Sequence, residues 1–150
     1  MPSIRLLEID EAGFVTDYAG VLSETAESVL QATKAFYSKI GFRRPWISYV
    51  AECDGRLVGC CSFKSQPHNG SVEIAYFTFP DHEGRGVATF MAGELTAIAR
   101  STGEDPQITA QTLPDRNASH RVLEKLGLLP IGVIDHPEDG PVLEWRLPRD

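Results

Sequence analysis

The segment Ser71–Ala99 constrains the fold more than any other part of the sequence, because its pattern predicts a buried strand, a glycine turn and a helix in direct succession. Ser71–Phe79 is β-branched and aromatic and is apolar on both faces, which predicts a central strand that ends before Pro80. Two glycines, Gly84 and Gly86, then precede a helix with an apolar stripe. A strand that is apolar on both faces needs cover on both sides of its sheet.

The remaining pattern predicts one α/β domain over residues 1–150, since a chain of this length suits a single core. The other predicted helices are Asp10–Leu22, Ser23–Ile40 and Asp115–Leu126. The other predicted strands are Ile4–Ile9, Trp46–Glu52, Arg56–Lys64, Ile108–Leu113, Leu128–Ile134 and Val142–Leu147. This order predicts a mixed sheet with helices on both faces.

Charge and composition exclude several function classes. Fourteen basic and 21 acidic residues give a net charge of −7, which argues against nucleic-acid binding by bulk charge. No apolar run approaches the ~20 residues that cross a bilayer, and the N-terminus lacks the apolar core of a signal peptide. We therefore expect no membrane partner and a cytoplasmic location. The four histidines and three cysteines lack metal-ligand spacing, so no metal site is expected.

The glycine turn predicts an anion site. The amides of residues 85–88 would point to one spot at the positive end of a helix, and the Thr89 hydroxyl can join them. The alternative is an ordinary loop in which the glycines only ease the turn.

Two nucleotide-binding patterns fit the sequence poorly. The sequence has no Gly-Lys pair for a Walker loop, and Thr89 stands where the dinucleotide pattern needs its third glycine.

Two segments resemble the GNAT acetyltransferases. Residues 73–76 (Glu-Ile-Ala-Tyr) and then Glu83–Thr89 are similar to the central strand and the coenzyme A loop of that family. The family's loop is Gln/Arg-x-x-Gly-x-Gly/Ala, which Gly86 and Ala88 match, whereas Glu83 is an acid at the first position. Leu113–Gly127 (LPDRNASHRVLEKLG) is similar to the second signature of the RimJ/RimL-like branch.

The resemblance implies a single GNAT-like domain with a mixed, mostly antiparallel sheet and a splayed central strand pair. Acetyl-CoA would be the cosubstrate, and its pantetheine arm would bond the backbone of Phe77, Thr78 and Phe79. The pyrophosphate would be held by the loop residues Gly84, Arg85, Gly86, Val87, Ala88 and Thr89. Arg116 stands where the family usually has asparagine, and Asn117 follows one residue later; both are candidate coenzyme contacts. Dimers are common in the family, so the resemblance is compatible with a homodimer.

Two residues are catalytic candidates. Glu73 is a carboxylate on an otherwise apolar strand, where burial would raise the pKa of the carboxyl group toward that of a useful base. It could instead lie at the solvent end of the strand or only position the substrate. Ser119 falls on the serine of the second signature, which implies a hydroxyl that protonates the departing thiolate; a helix-surface serine is the alternative. Leu123 occupies the position of the tyrosine that many GNAT enzymes use, and Tyr76 is the second candidate donor.

These observations together predict an acetyl-CoA-dependent N-acetyltransferase. It would move an acetyl group directly to a primary amine, which is a protein N-terminus or a small-molecule amine. The alternatives are a non-catalytic acyl-CoA-binding module of the same fold and a nucleotide-binding protein of another α/β type. Phe36, Tyr37 and Trp46 are candidates either for the acceptor side of the cleft or for core packing.

Overall fold

The computed structural model describes residues 3–148. Within this range the strands are β1 (Ile4–Glu8), β2 (Ser48–Cys53), β3 (Arg56–Phe63), β4 (Ser71–Thr78), β5 (Gln107–Thr112), β6 (Leu129–His136) and β7 (Gly140–Arg146). The α-helices are α1 (Glu24–Ile40), α2 (Val87–Ser101) and α3 (Ala118–Lys125). A short 3₁₀ turn at Pro80–His82 follows β4. The predicted central strand, glycine turn and helix are therefore confirmed.

The strands form one sheet in the order β1-β2-β3-β4-β5-β7-β6, which places β4 at its centre. The pair β4 and β5 is parallel, and the other five neighbouring pairs are antiparallel. A parallel pair needs a long crossover, which α2 supplies. The predicted mixed, mostly antiparallel sheet is confirmed.

The parallel pair is splayed. Its register covers three residue pairs, from Ser71 opposite Gln107 to Glu73 opposite Thr109. Beyond Glu73, β4 continues to Thr78 paired with β3 alone, while β5 turns to β7. A gap therefore opens between the carboxyl halves of the two central strands, as expected.

Helices cover both faces of the sheet. On one face α2 packs so tightly on β3 that a Cβ at Gly59 would lie 3.0 Å from Met91 Cε. On the same face the Tyr76 hydroxyl approaches the first turn of α3. On the opposite face α1 lies across a cavity whose walls include Cys60 and Ala75. The gap between β4 and β5 is thus open toward α1 on one side and toward α3 on the other.

The predicted helix over Asp10–Leu22 is wrong. This segment is a series of turns, because Asp10 Oδ1 accepts hydrogen bonds from the N–H groups of Ala12 and Phe14 at 3.0 and 2.9 Å. Such local side-chain bonds compete with helical pairing. Gly13 has a φ of +86°, which ends any helical run there.

Candidate active site

The glycine turn leaves several donors exposed at the start of α2. Gly86 is the N-cap with a φ of +80°, and no side chain caps the helix there. The Phe90 N–H donates to Gly86 O, so the amides of Val87, Ala88 and Thr89 precede the first intrahelical bond. The first turn also has no acidic side chain to offset the positive helix end. This arrangement can bind an anion.

Basic side chains lie beside the same turn. Arg56, His82 and Arg85 line a groove of about 500 Å³, together with the acidic Asp54. Neither Arg56 nor His82 was predicted as part of this site from the sequence. Arg56 lies at the start of β3, and only the folded sheet brings it to the turn. Glu83, the acid of the loop, is exposed to solvent.

The open edge of β4 presents alternate peptide groups. The Phe79 N–H donates to Val58 O and the Lys64 N–H donates to Glu73 O, so odd-numbered residues of β4 bond to β3. Even-numbered groups point toward β5, as the Gln107 N–H shows by donating to Gly70 O. Beyond the last paired residue the groups that face the gap are therefore those of Ile74, Tyr76 and Thr78.

This alternation corrects part of the sequence-based expectation. Thr78 presents its backbone to the gap, but Phe77 and Phe79 present theirs to β3. The sequence identifies the strand, yet only its pairing partner decides which of two alternating sets faces outward.

Glu73 lies where the two central strands part. It is the last residue of β4 in register with β5, and its side chain shares the α1 face with Ala75 and Phe77, two residues that line the cavity beneath α1. Its side chain is 25% exposed, and its Oε2 lies 3.1 Å from Lys64 Nζ. The expected apolar burial is absent. The carboxylate is instead ion-paired with the Lys64 ammonium group, at the rim of the gap.

The opposite side of the gap carries Tyr76 and, beside it, Ser119. The Tyr76 hydroxyl lies 3.5 Å from Ser119 O, in the first turn of α3. Burial raises the pKa of Tyr76, so its hydroxyl stays protonated above neutral pH. Ser119 is partly buried beside it.

The predicted coenzyme contacts on the second signature have partners within the chain. The helix starts at Ala118, not Asp115, because Asn117 Oδ1 caps it by accepting from the Ser119 N–H at 2.9 Å. The Asn117 Nδ2 donates to Asp115 O. Both Nη atoms of Arg116 bond the Glu124 carboxylate, at 2.9 and 3.1 Å. Contacts of Arg116 and Asn117 with a coenzyme stay predictions.

A cavity of about 410 Å³ lies between α1 and the centre of the sheet. It is lined by Val29, Ala32, Thr33, Phe36, Ser48, Cys60, Cys61, Ser62, Lys64, Ala75, Tyr76 and Phe77. Phe36 is thus on the cavity wall, whereas Tyr37 and Trp46 are buried in the core. The cavity adjoins the strand edge that faces the gap.

Comparison with known proteins assigns the family. The model of the acetyltransferase (GNAT) domain matches residues 7–129. The chain belongs to the GNAT acetyltransferase family. This confirms the predicted family and an acyltransferase of GNAT type; acetyl-CoA is the acetyl donor that the family uses.

The sequence identity to individual acetyltransferases is low. Acetyltransferase Pat of Mycolicibacterium smegmatis is 26% identical over 95 aligned residues, and the match covers 60% of this chain and 28% of that protein. The structure of the RimL ribosomal L7/L12 α-N-protein acetyltransferase superposes with a TM-score of 0.69 at 18% sequence identity. The alignment covers 95% of this chain and 91% of the RimL chain. The structure of Mycobacterium smegmatis RimJ in complex with CoA-disulfide superposes with a TM-score of 0.63 at 23% identity. That alignment covers 81% of this chain and 59% of the RimJ chain. At these identities the two structures show that this chain shares the fold of RimL and RimJ.

Two further observations concern membranes and metals. Between residues 3 and 148, no helix combines the length and the apolar character needed to cross a bilayer. Over the same range, no group of three or more His, Cys, Asp or Glu side chains is arranged to hold a metal ion.

Proposed function

We propose that this GNAT domain transfers an acetyl group from acetyl-CoA directly to a primary amine, either a protein N-terminus or a small-molecule amine. The observation that carries the proposal is the open edge of β4, which runs from the glycine turn to Glu73. It connects an anion-binding helix terminus with a carboxylate at the point where the strands part.

The donor would occupy this whole edge. The amides at the start of α2 and the Thr89 hydroxyl would bind the pyrophosphate, with Arg85 adding positive charge. The pantetheine arm would then extend along β4 as an added strand, bonded to Ile74, Tyr76 and Thr78. The seven residues of extended chain from Glu73 to Phe79 span about 20 Å, which suits an arm lying between the turn and the vertex of the gap. A backbone N–H on this edge can polarise the thioester carbonyl.

The amine would approach from the α1 face. A lysine-type amine, with a pKa near 10.4, is only about one part in 10³ neutral at pH 7, so a base has a large effect. The amine nitrogen forms a bond to the acetyl carbon, the carbon–sulfur bond breaks, and the nitrogen gives up a proton. Glu73 would accept that proton directly or through a water molecule.

The leaving thiolate would take a proton from the opposite side of the gap. Tyr76 lies on that side, with its hydroxyl near the main-chain oxygen of Ser119, and the hydroxyl of either residue would be the donor. Proximity of the two reactants supplies much of the remaining acceleration.

A non-catalytic acyl-CoA-binding module is the second candidate. It is favoured by the ion pair of Glu73 with Lys64, because this pairing engages the carboxylate that the transfer would need as its base.

Thermal melting with acetyl-CoA, ATP and NAD tests donor binding first. At about 100 times Kd, acetyl-CoA should add roughly 2.7 kcal/mol, which is roughly 5–10 °C for a domain of this size. A larger shift with ATP or NAD would contradict the proposal. Release of CoA thiol in the presence of a panel of amines then tests turnover. Binding without turnover on any amine would favour the non-catalytic module.

A further inference from the structure

The cavity beneath α1 has an apolar floor and an apolar roof. Val29, Ala32 and Phe36 of α1 lie over Ala75 and Phe77 of β4. Phe77 is 48% exposed although it lies on the central strand. A large aromatic surface in a concave site of this volume suits contact with the apolar body of a small ligand.

The polar groups of the cavity walls are already engaged in part. The Thr33 hydroxyl donates to Val29 O at 2.8 Å, and the Ser48 N–H donates to the Tyr37 hydroxyl at 2.9 Å. The floor strands β3 and β4 bond each other. A peptide main chain needs hydrogen-bond partners for its N–H and C=O groups. The cavity therefore favours a small amine over an extended peptide.

The charges limit the acceptor to one ammonium group. Among the described residues that line the cavity, Lys64 is charged and none is acidic. Glu73 lies on the same strand face as Ala75 and Phe77, paired with Lys64 at the edge of the cavity. A single ammonium group can reach Glu73 while its apolar body covers Phe77. A second ammonium would meet no other carboxylate among these lining residues and would lie against apolar walls, which is costly.

We infer that the acceptor is a small primary amine with one positive charge and an apolar body, held between α1 and β4 with its nitrogen toward Glu73. This inference rests on the proposed function, since it names the amine that the acetyl group would reach. It disfavours polyamines and protein N-termini.

Calorimetric titration of the full chain tests the inference, with saturating CoA and without it. The probes are 2-phenylethylamine, spermidine and an unmodified tetrapeptide, Ser-Ala-Ala-Ala. We expect 2-phenylethylamine to bind roughly tenfold or more tightly than either of the others, because its ring buries apolar surface. Tighter binding of spermidine or of the tetrapeptide would overturn the inference, as would no binding of 2-phenylethylamine.

A matched pair of variants locates the binding site. Ala32 is exposed and lines the cavity, whereas Ala35 is exposed on the same helix and is outside the lining. Ala32→Trp should fill the cavity and weaken 2-phenylethylamine binding roughly tenfold or more, while Ala35→Trp leaves it unchanged. Equal effects of both substitutions would place the amine elsewhere, and melting curves check that both variants fold.

Failure of the inference and failure of the proposed function give different results. If acetyl-CoA raises the melting temperature and another amine is acetylated, the proposed function stands and the acceptor class is wrong. If acetyl-CoA does not bind, the proposed function fails, and the titration without CoA still decides whether the cavity takes an apolar amine.

Discussion

Lys64 Nζ lies 3.1 Å from Glu73 Oε2, at the residue where β4 loses its last pairing with β5. The pair joins an acid on the central strand to a base just past the end of β3. It places an ion pair at the vertex of the gap.

Glu73→Gln should lower kcat by roughly 10²-fold or more while the Kd for acetyl-CoA stays unchanged, because the amide cannot accept the amine proton. Steady-state kinetics and calorimetry measure the two quantities. Glu52→Gln is the matched control, since Glu52 is also a partly buried carboxylate in an ion pair, with Arg5 at 2.7 Å. Unchanged turnover in Glu73→Gln would refute the role of base.

Tyr76→Phe should lower kcat by roughly 10²-fold, and Ser119→Ala by less, because a phenol is a better proton donor than an aliphatic hydroxyl. Burial raises the pKa of Tyr76, so the alkaline limb of the kcat profile should lie above the ordinary tyrosine range. A larger loss in Ser119→Ala would assign the donor to Ser119 instead.

Gly86→Ala should weaken acetyl-CoA binding roughly tenfold and lower the free energy of unfolding by about 1–2 kcal/mol. The cause is the φ of +80°, which an alanine adopts only with strain. A steric clash is not the cause, because an added Cβ at this position would meet no atom within 4 Å. Gly103→Ala, also in open space but without a positive φ, is the control. Calorimetry and urea unfolding report the two effects; equal behaviour of both variants would argue against strain.

Gly59→Ala should destabilise the fold by about 1–3 kcal/mol, because the new Cβ would lie 2.9 Å from the main-chain oxygen of Phe77. That oxygen belongs to β4 and cannot move without moving the central strand. Gly93→Ala should instead stabilise by about 0.5–1 kcal/mol, since its Cβ would meet only Leu126 Cδ2 at 3.6 Å within a helix. Urea unfolding of both variants measures the difference in sign.

Stability should fall as the pH rises above about 9. Burial raises the pKa of Cys60 from 9.0 to about 11 and raises that of Cys61 well above its ordinary value. A group with a raised folded-state pKa contributes its full stabilisation below the unfolded pKa and loses it as the pH approaches the folded pKa. The free energy of unfolding at pH 7, 8, 9 and 10 should show this decline, and Cys60→Ala should make it shallower. An equal slope in that variant would show that Cys60 has no part in it.

Local signals predicted the parts of the site that depend on local backbone. The apolar pattern of Ser71–Phe79 and the two loop glycines were sufficient for β4, the turn and the start of α2. The bonding direction of Phe77 and Phe79 was not predictable, because it depends on which strand lies on each side of β4. The pairing of Lys64 with Glu73 likewise requires the β3–β4 register. The Asp10 side chain ended a predicted helix through bonds that no periodicity reveals.

Three residue pairs join β4 to β5, so the sheet consists of two antiparallel halves with a narrow seam between them. A molecule that bonds along the open edge of β4 would complete the sheet as an extra strand. The bound cosubstrate would then connect the two halves of the sheet where β4 and β5 are not paired. Amide hydrogens of Ile74, Tyr76 and Thr78 would exchange slowly only while it is bound, so the rigidity of the fold would follow the supply of the acetyl donor.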